Sequence, residues 1–285
     1  MHNLSINNHK VAILITSHNR KNLTVKCLKN LLNQITHQHH QIFLVIDGST
    51  DGTKEMVEEK FPMINCIDGD GSLFWNQGMR LAWKYAQQNK EYDFFIWLND
   101  DTILREGAIE ELFSCYISAK SNNEESIVVG ACEDVELNQF TYGGRNDSGP
   151  IIPNGKLQKC KYVNGNIVLI SKNIFSRLGY LSKDYTHAMG DVDYGLRALE
   201  CGINIYSTKK YIAFCSKHQN LPSWCNPQKN IIERWKYFNS PKGLHLKEYK
   251  IFIKKFWPKK YYLLIVKAYL KFLFPKTYGY IKGND

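Results

Sequence analysis

The sequence lacks the features that would assign it to several large classes of protein. Its eight cysteines are scattered through the chain, with no CxxC pair and no even spacing. Scattered thiols fit the reduced cysteines of a cytoplasmic protein better than a disulfide framework or a zinc site. No apolar stretch reaches the roughly 18 residues that suggest a membrane span. The apolar run Val11–Ile15 is too short for a signal peptide.

The common nucleotide-binding signatures are also missing. The segment after the first apolar run reads SHNRKN, which has no GxGxxG and argues against a dehydrogenase-type dinucleotide fold. A sugar nucleotidyltransferase would likewise be expected to have a Gly-rich loop there. No GxxxxGK[ST] occurs, so the chain is not a P-loop NTPase. A phosphatase with an aspartyl nucleophile would need Asp where Asn99 stands, because an amide cannot attack phosphorus.

Positive charge is concentrated at one end of the chain. The formal net charge of the whole sequence is +10 at pH 7. From Lys229 onward there are 13 lysines and one arginine against two glutamates and one aspartate, a net charge of +11, so the first 228 residues carry −1. The basicity therefore belongs to a C-terminal extension, and the preceding part is nearly neutral.

Short apolar runs alternate with helix-like segments in the first third of the chain. Such runs, rich in β-branched and aromatic residues, are typical of buried parallel strands. The alternation predicts βαβ units, an α/β fold and a ligand site at the carboxyl ends of the strands. The predicted strands are Val11–Ile15, Ile42–Ile46, Ile64–Ile67 and Phe94–Leu98, and the predicted helices are Lys21–Gln34, Thr53–Lys60 and Gln77–Gln88. Residues 139–162, rich in Gly, Pro and Asn, predict loops or short antiparallel strands.

Polar residues follow each of the four predicted strands, at positions 16–19, 47–51, 68–71 and 99–101. In any one loop they could be helix caps and turns and nothing more. Four such loops in register favour a ligand site. The last loop places Asp100 beside Asp101, and hard oxygen ligands of this kind suit Mg²⁺ or Mn²⁺, which usually bind through one or two carboxylates plus substrate phosphates.

Five motifs stand in order along the chain: VAILITSHNR, VIDGSTDGT, GSLFWNQGMRLAW, WLNDDT and GDVDYGLRALECG. Their order and spacing resemble those of the family 2 glycosyltransferases over roughly residues 10–245. The resemblance implies a GT-A fold, with a mostly parallel, Rossmann-like sheet flanked by helices and followed by a C-terminal helical extension. It implies a catalytic domain at 1–228, with a nucleotide-binding half at about 10–105 and an acceptor-binding half at 106–228, before the extension at 229–285.

The resemblance also implies a metal site and a donor site. Asp101 matches the metal-binding carboxylate that ends the family's DxD motif, and Asp100 would lie beside the ribose and diphosphate. Asn99 replaces the first Asp of that motif, a departure that costs one charge. His218 matches a second metal ligand. The positions matched to the nucleotide sugar are Thr16, Asp47, the neighbouring Asn19 and Arg20, and Trp75 and Arg80 in the pocket lining, although Trp75 could equally be a core aromatic.

The general base is implied by GDVDYGLRAL. Asp191 falls on the family's base position, at the predicted start of a helix over 192–199, where the helix dipole favours an ionised carboxylate. Gly190 replaces the Glu that the family places before it. Asp193 and Arg197 are four residues apart, and we expect them to form a structural ion pair.

The expected function is therefore that of an inverting glycosyltransferase of bacterial surface polysaccharide or lipopolysaccharide synthesis, dependent on Mn²⁺ or Mg²⁺. Its donor would be a UDP- or dTDP-sugar and its acceptor a glycan or lipid-linked hydroxyl. Residues from about 246 to 282, which include the amphipathic segment Lys259–Phe274, would dock the protein on an anionic membrane surface at the inner face of the cytoplasmic membrane. Alternatively, the apolar face of that segment would pack on the catalytic domain. A catalytically impaired scaffold is the alternative. A nucleic-acid-binding role is not expected, because the basic tail is interleaved with apolar residues.

Overall fold

The computed structural model describes residues 9–35, 39–120, 125–216 and 221–277, with Asn89 described by its backbone only. The chain folds into two compact units. The first is Met1–Ser182 with Asp191–Lys217, and the second is Lys183–Gly190 with His218–Asp285. The sequence-based boundary at residue 228 thus lies later than the start of the second unit, which also takes in a short segment from the middle of the chain.

The first unit begins with the predicted βαβ alternation. The three strands away from the sheet edge carry buried β-branched and aromatic side chains on both faces, as parallel strands covered by helices do, whereas the edge strand has one buried residue, Ile67. All four strands pair in parallel, in the order β3-β2-β1-β4. The elements are β1 (Val11–Ser17), α1 (Lys21–Leu32), β2 (His40–Asp47), α2 (Thr53–Lys60), β3 (Asn65–Gly69), α3 (Phe74–Asn89) and β4 (Phe94–Leu98).

The rest of the first unit extends this sheet with mixed pairing. The elements are β5 (Ile103–Leu104), α4 (Ala108–Lys120), β6 (Ser126–Glu133), β7 (Arg145–Asn146), β8 (Gly149–Pro150), β9 (Gln158–Lys159), β10 (Ile167–Ser171), α5 (Lys172–Leu178), α6 (Gly190–Glu200) and β11 (Asn204–Phe214). Strand β10 is antiparallel to β4 and β6, and β11 is parallel to β6. The sheet order is β3-β2-β1-β4-β10-β6-β11-β5, with β9 beside β11 and β7-β8 as a separate hairpin.

Two apolar layers cover the faces of the sheet. Alternate residues of each strand point to opposite faces, so Val11, Ile13 and Ile15 join one core cluster while Ala12 and Leu14 join the other. Helices α1, α2 and α4 contribute to the first cluster, and α3, α5 and α6 to the second. The loops that follow β1, β2 and β4 consequently leave the sheet at the same edge, which is where the candidate site lies.

The second unit is helical. It consists of α7 (Ile231–Phe238), α8 (Leu246–Phe256) and α9 (Tyr261–Leu273), with short 3-10 turns at Ser223–Cys225 and Pro258–Lys260. Its core is formed by Phe238, Leu246, Ala268 and Phe272. Within the described residues, no helix has the length and apolar character needed to cross a membrane.

Helix α8 holds the short segment Lys183–Gly190. The buried carboxylate of Glu248 accepts hydrogen bonds from Thr186 N at 3.0 Å and Thr186 Oγ1 at 2.5 Å. The ring of Tyr185 packs edge-on against Phe252, with centroids 5.9 Å apart. Because both contacts involve α8, this segment belongs to the helical unit although the chain on either side of it belongs to the sheet.

Candidate active site

The paired carboxylates lie directly after β4, as the sequence predicts. Asp100 is almost fully buried and Asp101 is partly exposed, with side-chain exposures of 5% and 22%. One guanidinium nitrogen of Arg20, in the loop after β1, contacts both: Nη1 is 3.1 Å from Asp100 Oδ1 and 2.7 Å from Asp101 Oδ2. The loops after β1 and β4 are therefore joined by a charge-assisted contact between residues 80 positions apart.

The pair is held in a poorly solvated position. Burial raises the pKa of Asp100 to about 6, even though the Arg20 cation acts to lower it. The neighbouring Asp101 charge adds to the rise in pKa. A carboxylate in this situation is stabilised in its ionised form by any further cation placed between the two side chains.

Asn99 is part of an amide network beside the carboxylates. Its Oδ1 accepts a hydrogen bond from Trp75 Nε1 at 2.7 Å, and its Nδ2 donates to Asn166 Oδ1 at 3.2 Å. Its backbone N–H also donates to the carbonyl of Asn166 at 2.9 Å. A side chain that both donates and accepts is needed here, and an ionised Asp has no hydrogen to donate. This explains the departure from the DxD pattern at this position.

Trp75 supports that network from the start of α3. Its ring lies edge-on to the buried Trp97 of β4, with centroids 6.0 Å apart. A Cβ added at Gly165 would lie 2.3 Å from the Trp75 ring, so only glycine allows this close approach. Trp75 is thus partly a core aromatic and partly the donor that orients Asn99. Its expected place in the lining of the nucleotide-sugar pocket stays a prediction.

Asp191 lies in the first turn of α6 and is half-buried. Its Oδ1 accepts from its neighbour Val192 N at 2.8 Å, and its Oδ2 accepts from Gly165 N at 3.0 Å. Burial raises the pKa of Asp191, and these backbone donors oppose the rise. A carboxylate that is fixed by two N–H groups and has a raised pKa is suited to accept a proton.

The neighbouring Asp193 has a different role. Its Oδ2 accepts a hydrogen bond from Arg197 Nε at 2.7 Å, one helical turn along α6. The Arg197 guanidinium also donates to the carbonyls of Leu178 and Tyr180. The expected structural ion pair is confirmed, and it ties α6 to the chain that follows α5.

Two of the residues expected to bind the nucleotide, Thr16 and Asn19, lie at or just after the end of β1. Thr16 lies at the end of β1 against α3, where a Cβ at Gly78 would be 2.3 Å from its Oγ1. Asn19 joins the loops after β1 and β2, since its N–H donates to Ser49 Oγ at 2.9 Å and its Oδ1 accepts from Thr50 N at 2.7 Å.

Asp47 and Arg80, which are also expected to bind the nucleotide sugar, make hydrogen bonds within the protein. Asp47 is buried, and its two carboxylate oxygens accept from Gly71 N at 2.8 Å and Phe74 N at 2.9 Å, which shapes the loop before α3. Arg80 donates to the carbonyl of Leu181 at 2.5 Å and lies over the Tyr180 ring. The structure therefore gives Asp47 a loop-forming role and directs Arg80 to residues 180–181.

The donor set after β4 fits a hard divalent cation. It offers carboxylate oxygens of two adjacent aspartates, and a cationic group, the Arg20 guanidinium, already contacts both. No group of three or more His, Cys, Asp or Glu side chains arranged to hold a metal occurs among the described residues. His218, the expected second ligand, lies outside the described residues.

Sequence reasoning missed Gly165 and Asn166, which connect the two carboxylate sites. Gly165 donates to Asp191, and Asn166 bonds Asn99 by both backbone and side chain. The signal for them is the polar segment VNGN directly before the apolar run of β10. It could not be placed from the sequence because β10 pairs antiparallel with β4. The start of β10, and not its end, therefore lies beside the end of β4.

Comparison with known proteins identifies the family and the fold. A family model described as Glycosyl transferase family 2 matches residues 12–179. The low-salt glycan biosynthesis hexosyltransferase Agl10 of Haloferax volcanii is 24% identical over 188 residues, which cover 62% of this chain and 59% of that protein. This chain thus matches less than two thirds of the relative's length.

Two solved structures are similar in fold. The mannosyltransferase PcManGT of Pyrobaculum calidifontis, in complex with GDP-Man and Mn²⁺, has a TM-score of 0.57 and 13% identity, covering 92% of this chain and 70% of its own. S. aureus TarS 1-349 with UDP-GlcNAc has a TM-score of 0.56 and 12% identity, covering 93% of this chain and 79% of its own. The predicted GT-A architecture, with a mostly parallel sheet flanked by helices, is confirmed.

Proposed function

Because this chain belongs to glycosyl transferase family 2, we propose that it is an inverting, metal-dependent hexosyl- or deoxyhexosyltransferase. It moves a sugar from a nucleotide-sugar donor to a hydroxyl of a glycan or lipid-linked acceptor in bacterial surface polysaccharide synthesis. The observation that carries the proposal is the Asp100–Asp101 pair, which lies at the carboxyl edge of the parallel strands and already contacts a cationic group.

Asp101 and His218 are the residues that would hold Mn²⁺ or Mg²⁺, and Asp100 would lie beside the ribose and diphosphate. When bound, such a cation neutralises negative charge on the diphosphate of the leaving nucleotide. Asn99 does not need to be a ligand, because its amide is used by Trp75 and Asn166. The metal in the PcManGT complex supports this assignment by analogy of fold.

Asp191 is the proposed general base. Its carboxylate takes the proton of the acceptor hydroxyl, and the oxygen attacks the anomeric carbon from the face opposite the diphosphate. The bond from the anomeric carbon to the diphosphate oxygen breaks as the new glycosidic bond forms. The leaving electron pair goes to the nucleoside diphosphate, and the anomeric configuration is inverted without a covalent intermediate.

We propose a UDP- or dTDP-sugar as donor. Thr16 and Asp47, at the ends of β1 and β2, would contact the base and ribose, with Asn19 and Arg20 close by. Asp47 already accepts two backbone hydrogen bonds, so it would meet the ribose through its remaining lone pairs. Trp75 and Arg80 would border the sugar pocket. TarS has been solved with UDP-GlcNAc, which supports a uridine donor, and PcManGT with GDP-Man.

Helix α9 presents an apolar face that its own unit leaves uncovered. It packs inward through Ala268 and Phe272. On a different side of the helix, the exposed apolar residues follow an i, i+3, i+7, i+10 spacing that forms one stripe. They are Leu263, Val266, Leu270 and Leu273, with relative exposures of 54%, 53%, 50% and 46%.

Lysines border this stripe on one side. Lys267 and Lys271 are one helical turn apart, and Lys260 falls on the same line by heptad spacing. An apolar face with a basic margin complements anionic lipid, and each basic residue near such a surface adds about 1 kcal/mol of attraction. We therefore propose that α9 binds the inner face of the cytoplasmic membrane, which would bring the protein to lipid-linked acceptors.

A catalytically impaired scaffold is the competing function. Its support is the loss of two acidic residues from the family pattern, at Asn99 and Gly190. The amide network around Asn99 weakens that support, since the residue is built into the site. A scaffold would bind nucleotide sugars without turning them over.

The test is a panel of UDP-, dTDP- and GDP-sugars, measured for thermal stabilisation of the protein and for nucleoside diphosphate release with Mn²⁺. We expect one or two donors to stabilise the protein and to be slowly hydrolysed. Asp101→Ala should lose the metal-dependent part of donor binding while its circular dichroism spectrum is unchanged. Donor stabilisation without release for every sugar and acceptor would indicate the scaffold, and full donor affinity in Asp101→Ala would refute the metal assignment.

A further inference from the structure

Arg20 contacts the two carboxylates in a way that a divalent cation would have to disturb. A single nitrogen, Nη1, lies between Asp100 Oδ1 and Asp101 Oδ2, at 3.1 and 2.7 Å. Like charges as close as adjacent aspartates repel each other, and the guanidinium offsets that repulsion. Arg20 therefore occupies the position between the two side chains where a shared cation is most favourable.

The backbone at Arg20 is fixed independently of its side chain. Its carbonyl accepts from Thr24 N at 2.9 Å and from Thr24 Oγ1 at 3.0 Å, in the first turn of α1. The Thr24 hydroxyl is also 2.8 Å from Ser17 Oγ, within the buried surroundings of Asp100. The guanidinium can consequently leave the carboxylates by rotating its long side chain, with no change in the helix.

The accessibility of the three side chains indicates which one moves. The side chain of Arg20 is 42% exposed, whereas Asp100 is 5% exposed and Asp101 is 22% exposed. The cationic partner faces solvent and has several rotatable bonds, while the carboxylates follow a buried strand. A group arriving from solvent can displace the guanidinium without disturbing the core.

We propose that Arg20 is the resident counter-cation of the site and exchanges with the metal: its guanidinium leaves the two aspartates when a divalent cation binds and then pairs with the diphosphate of the donor. This inference rests on the proposed function. The exchange couples metal binding to diphosphate binding, because the Arg20 guanidinium that the metal displaces becomes available to bind the diphosphate. The same residue disfavours the metal alone and favours the metal together with the nucleotide.

The test measures Mn²⁺ binding by calorimetry without a nucleotide-sugar donor, for wild type and Arg20→Gln, with and without UDP. Removing the competing charge should tighten binding of Mn²⁺ alone by about tenfold, within the roughly 5- to 150-fold range usual for coupled sites. UDP should raise Mn²⁺ affinity more in wild type than in Arg20→Gln, because the variant has no released guanidinium for the diphosphate.

Two further measurements keep the test independent of folding and of the proposed function. In EDTA the melting temperature of Arg20→Gln should fall below that of wild type, and Mn²⁺ should raise it by more than it raises wild type. Arg20→Lys keeps the charge but not the planar fork, so its Mn²⁺ affinity should lie between the other two and serves if Arg20→Gln does not fold.

The outcomes separate the two claims. Weaker or unchanged binding of Mn²⁺ alone in Arg20→Gln and Arg20→Lys, with binding lost in Asp101→Asn, would overturn the exchange and leave the metal site intact. Unchanged Mn²⁺ binding in Asp101→Asn would instead overturn the metal site of the proposed function, and the exchange with it.

Discussion

At the scale of single residues, the pKa of Asp191 gives a prediction about pH. Burial raises this pKa, and a base must be ionised to accept a proton. Activity should therefore fall as the pH decreases through a value above the ordinary aspartate pKa of about 3.9. The measurement is kcat/KM against pH with saturating metal, which reports ionisations of the free enzyme. An acid limb at or below the ordinary aspartate value would contradict the assignment.

Asn99 gives a second prediction, about stability. Asn99→Asp keeps the acceptor for Trp75 but loses the donor to Asn166 and adds a negative charge beside the carboxylate pair. The free energy of unfolding in EDTA should fall by about 1–3 kcal/mol, and Mn²⁺ should restore part of it. Urea unfolding provides the measurement.

A matched control for this variant is Asn65→Asp. Asn65 also donates one side-chain hydrogen bond, to the carbonyl of Ile42, but it is exposed on β3. We expect its effect to be the smaller of the two and independent of Mn²⁺. Equal losses in both variants, with no recovery on adding Mn²⁺, would show that the charge beside Asp100 and Asp101 is of no consequence.

At the scale of elements, the sequence predicts the parallel half of the fold well because the signal is local. Apolar runs of strand length and helical spacing identify β1 to β4 and the helices between them within a few residues. The contact of Arg20 with Asp100 joins positions 80 residues apart, and only the parallel pairing of β1 with β4 brings them together. The hydrogen bond from Arg80 to the Leu181 carbonyl depends on how the chain after α5 packs, which no local pattern in the sequence indicates.

The attachment of Lys183–Gly190 to α8 also depends on contacts between residues that are far apart in the sequence. Both carboxylate oxygens of Glu248 accept hydrogen bonds from Thr186, and Glu248 Oε1 also lies 2.7 Å from His245 Nδ1. Glu248→Ala should lower the free energy of unfolding by about 1–3 kcal/mol, because it leaves the half-buried N–H and hydroxyl of Thr186 without their charged partner. Hydrogen exchange at the Thr186 amide should become faster.

Lys247→Ala is the control for that variant, since it truncates an exposed neighbour in the same helix. Its effect on the free energy of unfolding should stay within about 0.5 kcal/mol, as for most surface substitutions. Unchanged exchange at Thr186 in Glu248→Ala would show that α8 does not hold this segment.

At the scale of the whole molecule, the proposed membrane binding can be tested through the separation of charge. The net charge of +11 lies from residue 229 onward, while the remainder carries −1. We expect co-sedimentation with vesicles that contain anionic phospholipid, less with neutral vesicles, and a decrease as salt rises because exposed charges are screened. Deleting residues 246–285 should abolish binding.

Substitutions on α9 test the same surface without removing it. Leu263→Ser with Leu270→Ser should weaken binding at every salt concentration, and Lys267→Gln with Lys271→Gln should weaken it most at low salt. The control is Lys60→Gln with Lys90→Gln, which removes two exposed lysines of the first unit. Equal pelleting of all variants with the full-length protein would show that α9 is not the membrane-binding element.

We propose that the Asp191 carboxylate is the general base for sugar transfer from a bound nucleotide sugar. The most direct measurement is turnover and donor affinity in Asp191→Asn, which keeps the shape of the side chain but cannot accept the proton, with Asp193→Asn measured alongside. We predict that kcat falls by roughly 10²–10⁴-fold in Asp191→Asn while donor affinity hardly changes. Wild-type turnover in Asp191→Asn, with loss of turnover in Asp193→Asn, would contradict it.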